Sequence, residues 1–220
     1  MKPKGAIFDL DGTLVDSMYI WDWVPGELIR QLGGNPPEDL AQALTELSRE
    51  EAAEYLIGRF HLTQTPEEIL QAVNDLVSGA YRNTVPMKPG ADVLLARLYQ
   101  AGIPCGIATA SEAFQAQDAM ERLGLWKYFQ FAISSGEYGS KSRPDIYLEA
   151  AHRLGGEPGE ILVFEDALHA ARTASGAGFL VAGVYDPSAQ AEQQALQKLC
   201  RWYLPRLDEP GFLQQLQDIE

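Results

Sequence analysis

Near the start of the chain the sequence reads Ile7-Phe8-Asp9-Leu10-Asp11-Gly12-Thr13-Leu14-Val15-Asp16. The apolar run that leads into it predicts a short buried strand, and Gly12 permits a tight turn directly afterwards. Asp9 and Asp11 therefore stand where a buried strand ends, and a divalent cation would relieve the repulsion between their carboxylates. Carboxylate oxygens are ligands that suit Mg2+. The ordinary alternative is a solvated turn, because Asp and Gly are common turn residues.

Composition narrows the class of protein. The chain has 220 residues, of which 46% are hydrophobic and 22% charged, as in ordinary globular proteins. No apolar run reaches the length of a membrane span. A net charge of −14 disfavours nucleic acid and anionic membranes as partners. Two cysteines form no disulfide framework and no zinc pattern, and the strand follows the first residues without a secretion signal. We therefore expect a cytoplasmic protein, with a monomer as the default.

From residue 86 onward the pattern alternates between helices and strands. Strands are predicted at 104–108, 128–133, 160–164 and 179–184, and helices at 92–100, 113–123, 144–154 and 167–175. Such alternation predicts an α/β fold with a Rossmann-like parallel sheet and helices on both of its faces. A short apolar piece at 202–204 and a helix from Pro210 complete the chain.

Residues 17–85 show helical patterns only. Ser48 followed by Glu51 is a capping-box start, and Thr65-Pro66 is a second helix start with proline at the first helical position. We therefore predict two domains. Residues 1–16 and 86–220 form the α/β core domain, and residues 17–85 form an all-helical domain inserted after the first strand.

Polar side chains follow four of the predicted strands, at the edge where parallel sheets bind ligands. Each residue has an ordinary explanation by itself, such as a helix cap, a surface lysine or an acidic first turn. These explanations are less convincing for the whole set, because four of them would have to apply independently at the ends of four strands. In chain order the set is Asp9 and Asp11, then Thr109, Ala110 and Ser111, then Lys141, then Glu165 and Asp166.

These residue types match phosphoryl transfer through a carboxylate. One aspartate can attack phosphorus to form an aspartyl-phosphate, and a cation can neutralise the charges around it. A hydroxyl, backbone N–H groups and an ammonium can stabilise the phosphate oxygens. A second carboxylic acid can protonate the leaving oxygen and then activate water.

This order of residues resembles the haloacid dehalogenase (HAD) superfamily, in its phosphatase and β-phosphoglucomutase branch. Asp9-Leu10-Asp11-Gly12-Thr13 resembles the first motif, with Asp9 as nucleophile and Asp11 as acid/base. Thr109 is similar to the phosphate-binding hydroxyl of the second motif, and Lys141 to the lysine of the third. Glu165-Asp166 resembles the fourth motif. The resemblance implies Mg2+ held by Asp9, Asp11, Glu165 and Asp166, phosphate held by Thr109, Ala110, Ser111 and Lys141, and a C1 cap at 17–85.

Two departures from the family pattern stand out. Lys141-Ser142-Arg143-Pro144-Asp145 replaces the usual Lys-Pro-x-Pro-Asp, and Ala170 replaces a common glycine after Glu165-Asp166. In the proposed cap, the segment around Arg49 is similar to one in sugar-phosphate mutases whose arginine grips a second phosphate. A first-turn surface arginine is at least as good an explanation of Arg49. Trp21 and Trp23 cannot share a helix face, so at most one of them can point into the core of the helical domain while the other faces the cleft. Core packing is the ordinary expectation for either one.

The resemblance implies a Mg2+-dependent phosphatase of a small phosphorylated metabolite. A sugar phosphomutase like β-phosphoglucomutase is the alternative, because the same residues serve both reactions. A phosphorelay receiver domain is a third alternative, and the order of the motifs nearly excludes it. In a receiver domain the acidic pair comes before the acceptor aspartate, which is the reverse of the order here, and there is no helical insert. A catalytically inactive binding protein is disfavoured by intact Asp9, Asp11, Lys141 and Asp166.

Overall fold

In the computed structural model, which describes residues 3–44 and 47–217, six strands form one parallel sheet. They are β1 (Gly5–Phe8), β2 (Cys105–Thr109), β3 (Phe129–Ser134), β4 (Ile161–Glu165), β5 (Leu180–Val184) and β6 (Trp202–Leu204). Their order across the sheet is β3-β2-β1-β4-β5-β6. β1 pairs with β2 on one side and with β4 on the other. The carboxyl ends of β1, β2 and β4 are therefore neighbours.

Helices surround the sheet. The helices that follow β1 in the same unit are α5 (Ala91–Gln100), α6 (Ala113–Arg122), α7 (Ser135–Tyr138), α8 (Asp145–Arg153), α9 (Leu168–Gly176), α10 (Gln193–Leu199) and α11 (Pro210–Gln217). α8 packs on β1, β2 and β3, and α9 packs on β4 and β5. The predicted fold class, a parallel sheet with helices around it, is confirmed.

The central strands β1, β2 and β4 are fully buried because both of their faces carry apolar side chains. One cluster joins Ile7, Ala108 and Val163 of the sheet to residues of α8, α9 and α10. Phe8 and Phe164 occupy paired positions on β1 and β4, and their rings stack with centroids 4.3 Å apart. These contacts fix the centre of the sheet, from which the predicted site residues emerge.

The chain divides into two compact units, one comprising Met1–Ser17 with Val85–Glu220 and the other Met18–Thr84. The second unit contains α1 (Tyr19–Gln31), α2 (Leu40–Leu44), α3 (Arg49–Phe60) and α4 (Pro66–Asn83). The predicted capping box of Ser48 with Glu51 is formed. The helix start predicted at Thr65-Pro66 is also present, and there Thr65 forms a second capping box with Glu68. Its core consists of Leu28, Ile29, Leu40, Ala53, Leu56 and Ile69. None of the helices within the described ranges is long and apolar enough to cross a membrane.

Several elements between 135 and 204 are additions to the sequence prediction. The apolar piece at 202–204 is the sixth strand. α7, α10 and a 3-10 helix (Pro187–Glu192) were not predicted. α10 was missed because it is short. Its sequence QQALQKL has three apolar residues, Ala195, Leu196 and Leu199, and seven residues are too few to establish a helical period.

Candidate active site

The loop that follows β1 is held tightly against the end of β4. The Asp9 backbone N–H donates to the carbonyl of Phe164 at 3.0 Å, and the N–H groups of Leu14 and Val15 both donate to the carbonyl of Leu10. Gly12 has a φ of +76°, a conformation that favours glycine. A Cβ at this position would lie 2.4 Å from Oδ2 of Asp166. The loop therefore requires glycine both for its backbone and for its closeness to Asp166.

Lys141 reaches this loop from the segment that precedes α8. Its Nζ lies 2.5 Å from Oδ1 of Asp9 and 2.6 Å from Oε1 of Glu165. All three residues are buried, Glu165 completely. Three carboxylates, one each from Asp9, Glu165 and Asp166, lie within 4.8 Å of one another and could hold a metal ion. The structure thus joins residues from the ends of β1 and β4 with the predicted lysine.

One carboxylate oxygen in this group has no hydrogen-bond partner among the described residues. Oε1 of Glu165 accepts hydrogen bonds from Lys141 and from the hydroxyl of Tyr147, whereas Oε2 is buried without a hydrogen bond from the described residues. Asp166 accepts one hydrogen bond from the hydroxyl of Thr13, at 3.1 Å. A buried carboxylate oxygen without a partner is costly, and a cation is the ligand that would satisfy it.

The electrostatics of the group also favour a cation. Burial raises the pKa of Asp9 well above its ordinary value; Lys141 opposes this shift, and the neighbouring carboxylates add to it. Burial, followed by the charge of Glu165, raises the pKa of Asp166 to about 7. Burial alone would lower the pKa of Lys141, but Asp9 and Glu165 outweigh that effect and raise it. One ammonium thus faces three carboxylates, and a divalent cation would supply the missing positive charge. The residues fit Mg2+.

Asp11 is outside this group of three carboxylates. Its Oδ1 accepts a hydrogen bond from the hydroxyl of Ser17 at 2.5 Å, and its Oδ2 accepts one from the hydroxyl of Ser111 at 2.7 Å. Asp11 is also more accessible than Asp9. The two hydroxyls orient both of its oxygens. This geometry suits a group that exchanges protons better than it suits a ligand of the same cation.

The residues after β2 form a turn beside Asp11. Thr109 is fully buried, and its hydroxyl oxygen accepts the N–H of Ser111 at 3.0 Å. Ala110 is exposed. The predicted phosphate-binding residues of this segment therefore lie at the same sheet edge as Asp9, since β2 pairs with β1. Among the described residues, the Thr109 hydroxyl has no acceptor, so its proton is available to a ligand.

The two departures from the family pattern leave the lysine and the carboxylates in place. Arg143 forms an exposed ion pair with Asp145, while Lys141 is buried against Asp9 and Glu165. Ala170 is fully buried in α9, and His169 is exposed.

In the helical unit, the tryptophans of α1 are exposed, which contradicts one expectation from the sequence. Packing in the core was the ordinary expectation for Trp21 and Trp23, but they are 46% and 40% exposed. Tyr19 and Trp23 instead line a groove of about 680 Å3 between α1 and α4. α1 places Ile20, Val24 and Leu28 on its buried face, and this spacing leaves both tryptophans outside it. Arg49 is exposed and donates to the side chain of Asn74 at 2.8 Å.

Sequence reasoning missed several partners of the predicted residues. Tyr147, Thr13 and Ser17 donate hydrogen bonds to Glu165, Asp166 and Asp11 respectively. Thr13 lies within the stretch 7–16 and Ser17 follows it directly. Their closeness in sequence to Asp9 and Asp11 was therefore the available signal. Tyr147 had none, because its contact with Glu165 depends on how α8 packs on the sheet.

A parallel sheet with a buried group of carboxylates and a lysine at its carboxyl edge is the architecture of an α/β enzyme. Comparison with known families is more specific: the chain belongs to the haloacid dehalogenase-like hydrolases, whose family model matches residues 6–184. Within that family it is a phosphatase, a phosphomonoester hydrolase.

Individual relatives support the same grouping. Hexitol phosphatase A of Escherichia coli K12 is 32% identical over 200 residues, which is 86% of each chain. Fructose-1-phosphate phosphatase of the same organism is 28% identical and covers 79% of this chain and 92% of its own. A crystal structure from Thermotoga maritima, provisionally assigned as β-phosphoglucomutase, shares the fold with a TM-score of 0.83 at 23% identity and covers 100% of both chains.

Proposed function

We propose that the protein is a Mg2+-dependent phosphatase of small phosphorylated sugars or polyols that works through an aspartyl-phosphate on Asp9. The observation that carries this proposal is the buried group formed by Asp9, Lys141, Glu165 and Asp166. One of its carboxylate oxygens receives no hydrogen bond from the part of the chain that the structure describes. A structural ion pair would need one carboxylate for one lysine. This group has three, which supports a role in binding charged ligands.

In the first half-reaction, an oxygen of Asp9 attacks phosphorus and the bond from phosphorus to the leaving oxygen breaks. Asp11 gives its proton to that oxygen, so the product leaves as an alcohol. In the second half-reaction, Asp11 takes a proton from water, the water oxygen bonds to phosphorus, and the bond to Asp9 breaks. Inorganic phosphate is released, and Asp9 and Asp11 regain their starting states.

The other residues orient and stabilise the charges. The Lys141 ammonium, 2.5 Å from Asp9, is placed to stabilise phosphate oxygens as well as the nucleophile. The Thr109 hydroxyl and the turn through Ala110 and Ser111 supply further donors. Asp9, Glu165 and Asp166 would hold Mg2+, which neutralises negative charge on the phosphate when bound.

The substrate class is proposed from the relatives. Their names specify a hexitol phosphate and fructose 1-phosphate as substrates, and these are small polyhydroxylated phosphomonoesters. We further propose that Met18–Thr84 acts as a cap that selects the substrate, with Arg49 as one contact. Two cysteines without a disulfide, Cys105 and Cys200, support the cytoplasm as its compartment.

The test is phosphate release from a panel of hexitol, ketose, aldose and nucleotide monophosphates, measured with Mg2+ and with EDTA. We expect release from the sugar and polyol esters only with Mg2+, and its loss in Asp9→Asn. Asp92→Asn, at an exposed position of α5, is the matched control and should retain activity. Release that persists in EDTA would refute the Mg2+ assignment. Isomerisation of a sugar phosphate without net phosphate release would replace this proposal with a phosphomutase.

A further inference from the structure

Tyr147 is a buried residue of α8 whose hydroxyl contacts Glu165, one of the proposed cation ligands. Its side chain is 1% exposed, and the hydroxyl donates to Oε1 of Glu165 at 2.7 Å. The ring belongs to the core cluster under the sheet and contacts Phe179, with ring centroids 6.1 Å apart. Because the ring is held by packing, the position of the hydroxyl is fixed independently of Glu165.

The two oxygens of Glu165 have different surroundings. Oε1 accepts hydrogen bonds from both Tyr147 and Lys141, at 2.7 Å and 2.6 Å. Oε2 accepts none from the described residues, and the Glu165 carboxylate is one of the three that lie within 4.8 Å of one another. The hydroxyl thus helps to hold one oxygen next to the lysine, and the other stays available for a cation.

The Tyr147 hydroxyl is the donor in its contact with Glu165, because an ionised carboxylate can only accept hydrogen bonds. The Lys141 Nζ lies 5.9 Å from the centroid of the same ring. Tyr147 is therefore next to Lys141, which bonds to Asp9, and it also bonds to Glu165 at the end of β4.

We propose that Tyr147 is a positioning residue that orients Glu165, so that Oε1 anchors Lys141 beside Asp9 and Oε2 faces the cation site. This assignment rests on the proposed Mg2+-dependent phosphatase function. It predicts that the hydroxyl supports cation binding and turnover, although its hydrogen bond is to Glu165 and not to Asp9 or Asp166. Partners of metal ligands act in this way in other metal sites.

The direct test is Tyr147→Phe, which removes the hydroxyl and keeps the packed ring. Mg2+ affinity is measured by isothermal titration calorimetry with MgCl2 alone, and kcat and KM are measured with the best ester of the panel at saturating Mg2+. We expect about a 10-fold or greater loss in Mg2+ affinity or in kcat, with KM changed less than kcat. Tyr138→Phe is the matched control, because its hydroxyl accepts a hydrogen bond from Arg153 on the surface.

A double-mutant cycle with Glu165→Gln separates positioning from a general structural effect. If Tyr147 acts through Glu165, then Tyr147→Phe should change Mg2+ affinity much less in the Glu165→Gln background than in the wild type. Equal losses in both backgrounds would overturn the assignment. Urea unfolding of all four proteins shows whether loss of stability accounts for the effect, and a loss of Mg2+ affinity that follows the loss of stability would also overturn it.

The outcomes also separate this assignment from the proposed function. If the wild type binds Mg2+, Tyr147→Phe binds it more weakly, and no ester is hydrolysed, then the positioning role stands and the phosphatase proposal fails. If the wild type is an active Mg2+-dependent phosphatase and Tyr147→Phe matches it in both Mg2+ affinity and kcat, then the positioning role is wrong and the function stands.

Discussion

Lys141 donates a hydrogen bond of 2.5 Å to Asp9 across 132 positions of sequence. The ammonium is 6% exposed and bridges the end of β1 to Glu165 at the end of β4. One side chain thereby holds the proposed nucleophile and a proposed cation ligand in a single buried group. The predictions below address that group and the structures that support it.

Replacing Lys141 by methionine should remove the positive charge and preserve most of the packing. We expect kcat to fall about 100- to 1,000-fold, as for the loss of a group that stabilises charge in the transition state. The measurement is steady-state phosphate release at saturating Mg2+. Lys198→Met, at an exposed position of α10, is the control, and comparable kcat values for the two variants would contradict the proposed role of Lys141.

The stability of the metal-free protein should fall as pH rises through about 7. The pKa of Asp166 is raised from 3.8 to about 7 in the folded state, so between these values the folded state binds more protons than the unfolded state. This contribution is complete below about pH 4 and is lost as the pH passes 7. The pKa of Asp9 is shifted in the same direction.

Urea unfolding in EDTA at pH 5.5 and at pH 8 measures this effect. We expect a lower midpoint at pH 8, recovery of the midpoint on addition of Mg2+, and a smaller pH dependence in Asp166→Asn. A metal-free midpoint that rises between pH 5.5 and pH 8 would contradict the electrostatic description of the group.

Gly12→Ala should disturb Asp166 directly. The added Cβ would lie 2.4 Å from Oδ2 of Asp166, at a residue whose φ is +76°. Since small misplacements of reacting groups can cost about 100-fold in rate, we expect a loss of that order in kcat. The matched control is Gly155→Ala, with a φ of +71° and nothing within 4 Å of the added Cβ. It should cost stability from its backbone alone and leave kcat unchanged; equal activity losses in both variants would show that contact with Asp166 is not the cause.

Much of the site could be predicted because it lies at strand ends. The alternation of helices and strands predicts a parallel sheet. Asp9, Thr109, Glu165 and Asp166 lie at the carboxyl edge of such a sheet however their side chains are oriented. Lys141 followed from the same reasoning, although it lies in a loop. The separation of Asp11 from the other carboxylates was not predictable, because it depends on hydroxyls of Ser17 and Ser111 that are brought to it by the folded loops.

The partners of the site residues escaped prediction for a related reason. Tyr147 in the sequence is one more apolar position of an amphipathic helix, and its hydroxyl acquires a role only when α8 packs on β1, β2 and β3. Lys88 and Asp186 are 98 positions apart, and neither belongs to a pattern that sequence periodicity detects. The strand β6 has only three residues, too few to show an alternation.

Removing one partner of the buried ion pair between Lys88 and Asp186 should strongly destabilise the α/β unit. The Nζ–Oδ2 distance is 2.7 Å, and the side chains are 9% and 1% exposed. The Lys88 backbone N–H also donates to the carbonyl of Leu14, in the loop that begins at Asp9. We expect Lys88→Met to cost about 3–5 kcal/mol in the free energy of unfolding, because it leaves a buried carboxylate uncompensated.

Urea unfolding provides the measurement, with Lys4→Met as the control. Lys4 pairs with Glu160 at 2.9 Å, but its side chain is 56% exposed, so its loss should cost less than about 1 kcal/mol. Similar costs for the two variants would mean that the buried pair adds little to stability.

The most direct test of the account is the detection of phosphate on Asp9. Asp11→Asn should slow hydrolysis of the intermediate, so the variant is mixed with Mg2+ and an activated ester such as p-nitrophenyl phosphate, whose leaving group needs no proton. The reaction is quenched in acid and the peptides are examined by mass spectrometry. We predict a phosphorylated peptide that contains Asp9, with the label absent in Asp9→Asn. Phosphate release by Asp9→Asn at the wild-type rate, with no labelled peptide in Asp11→Asn, would contradict a covalent mechanism through Asp9.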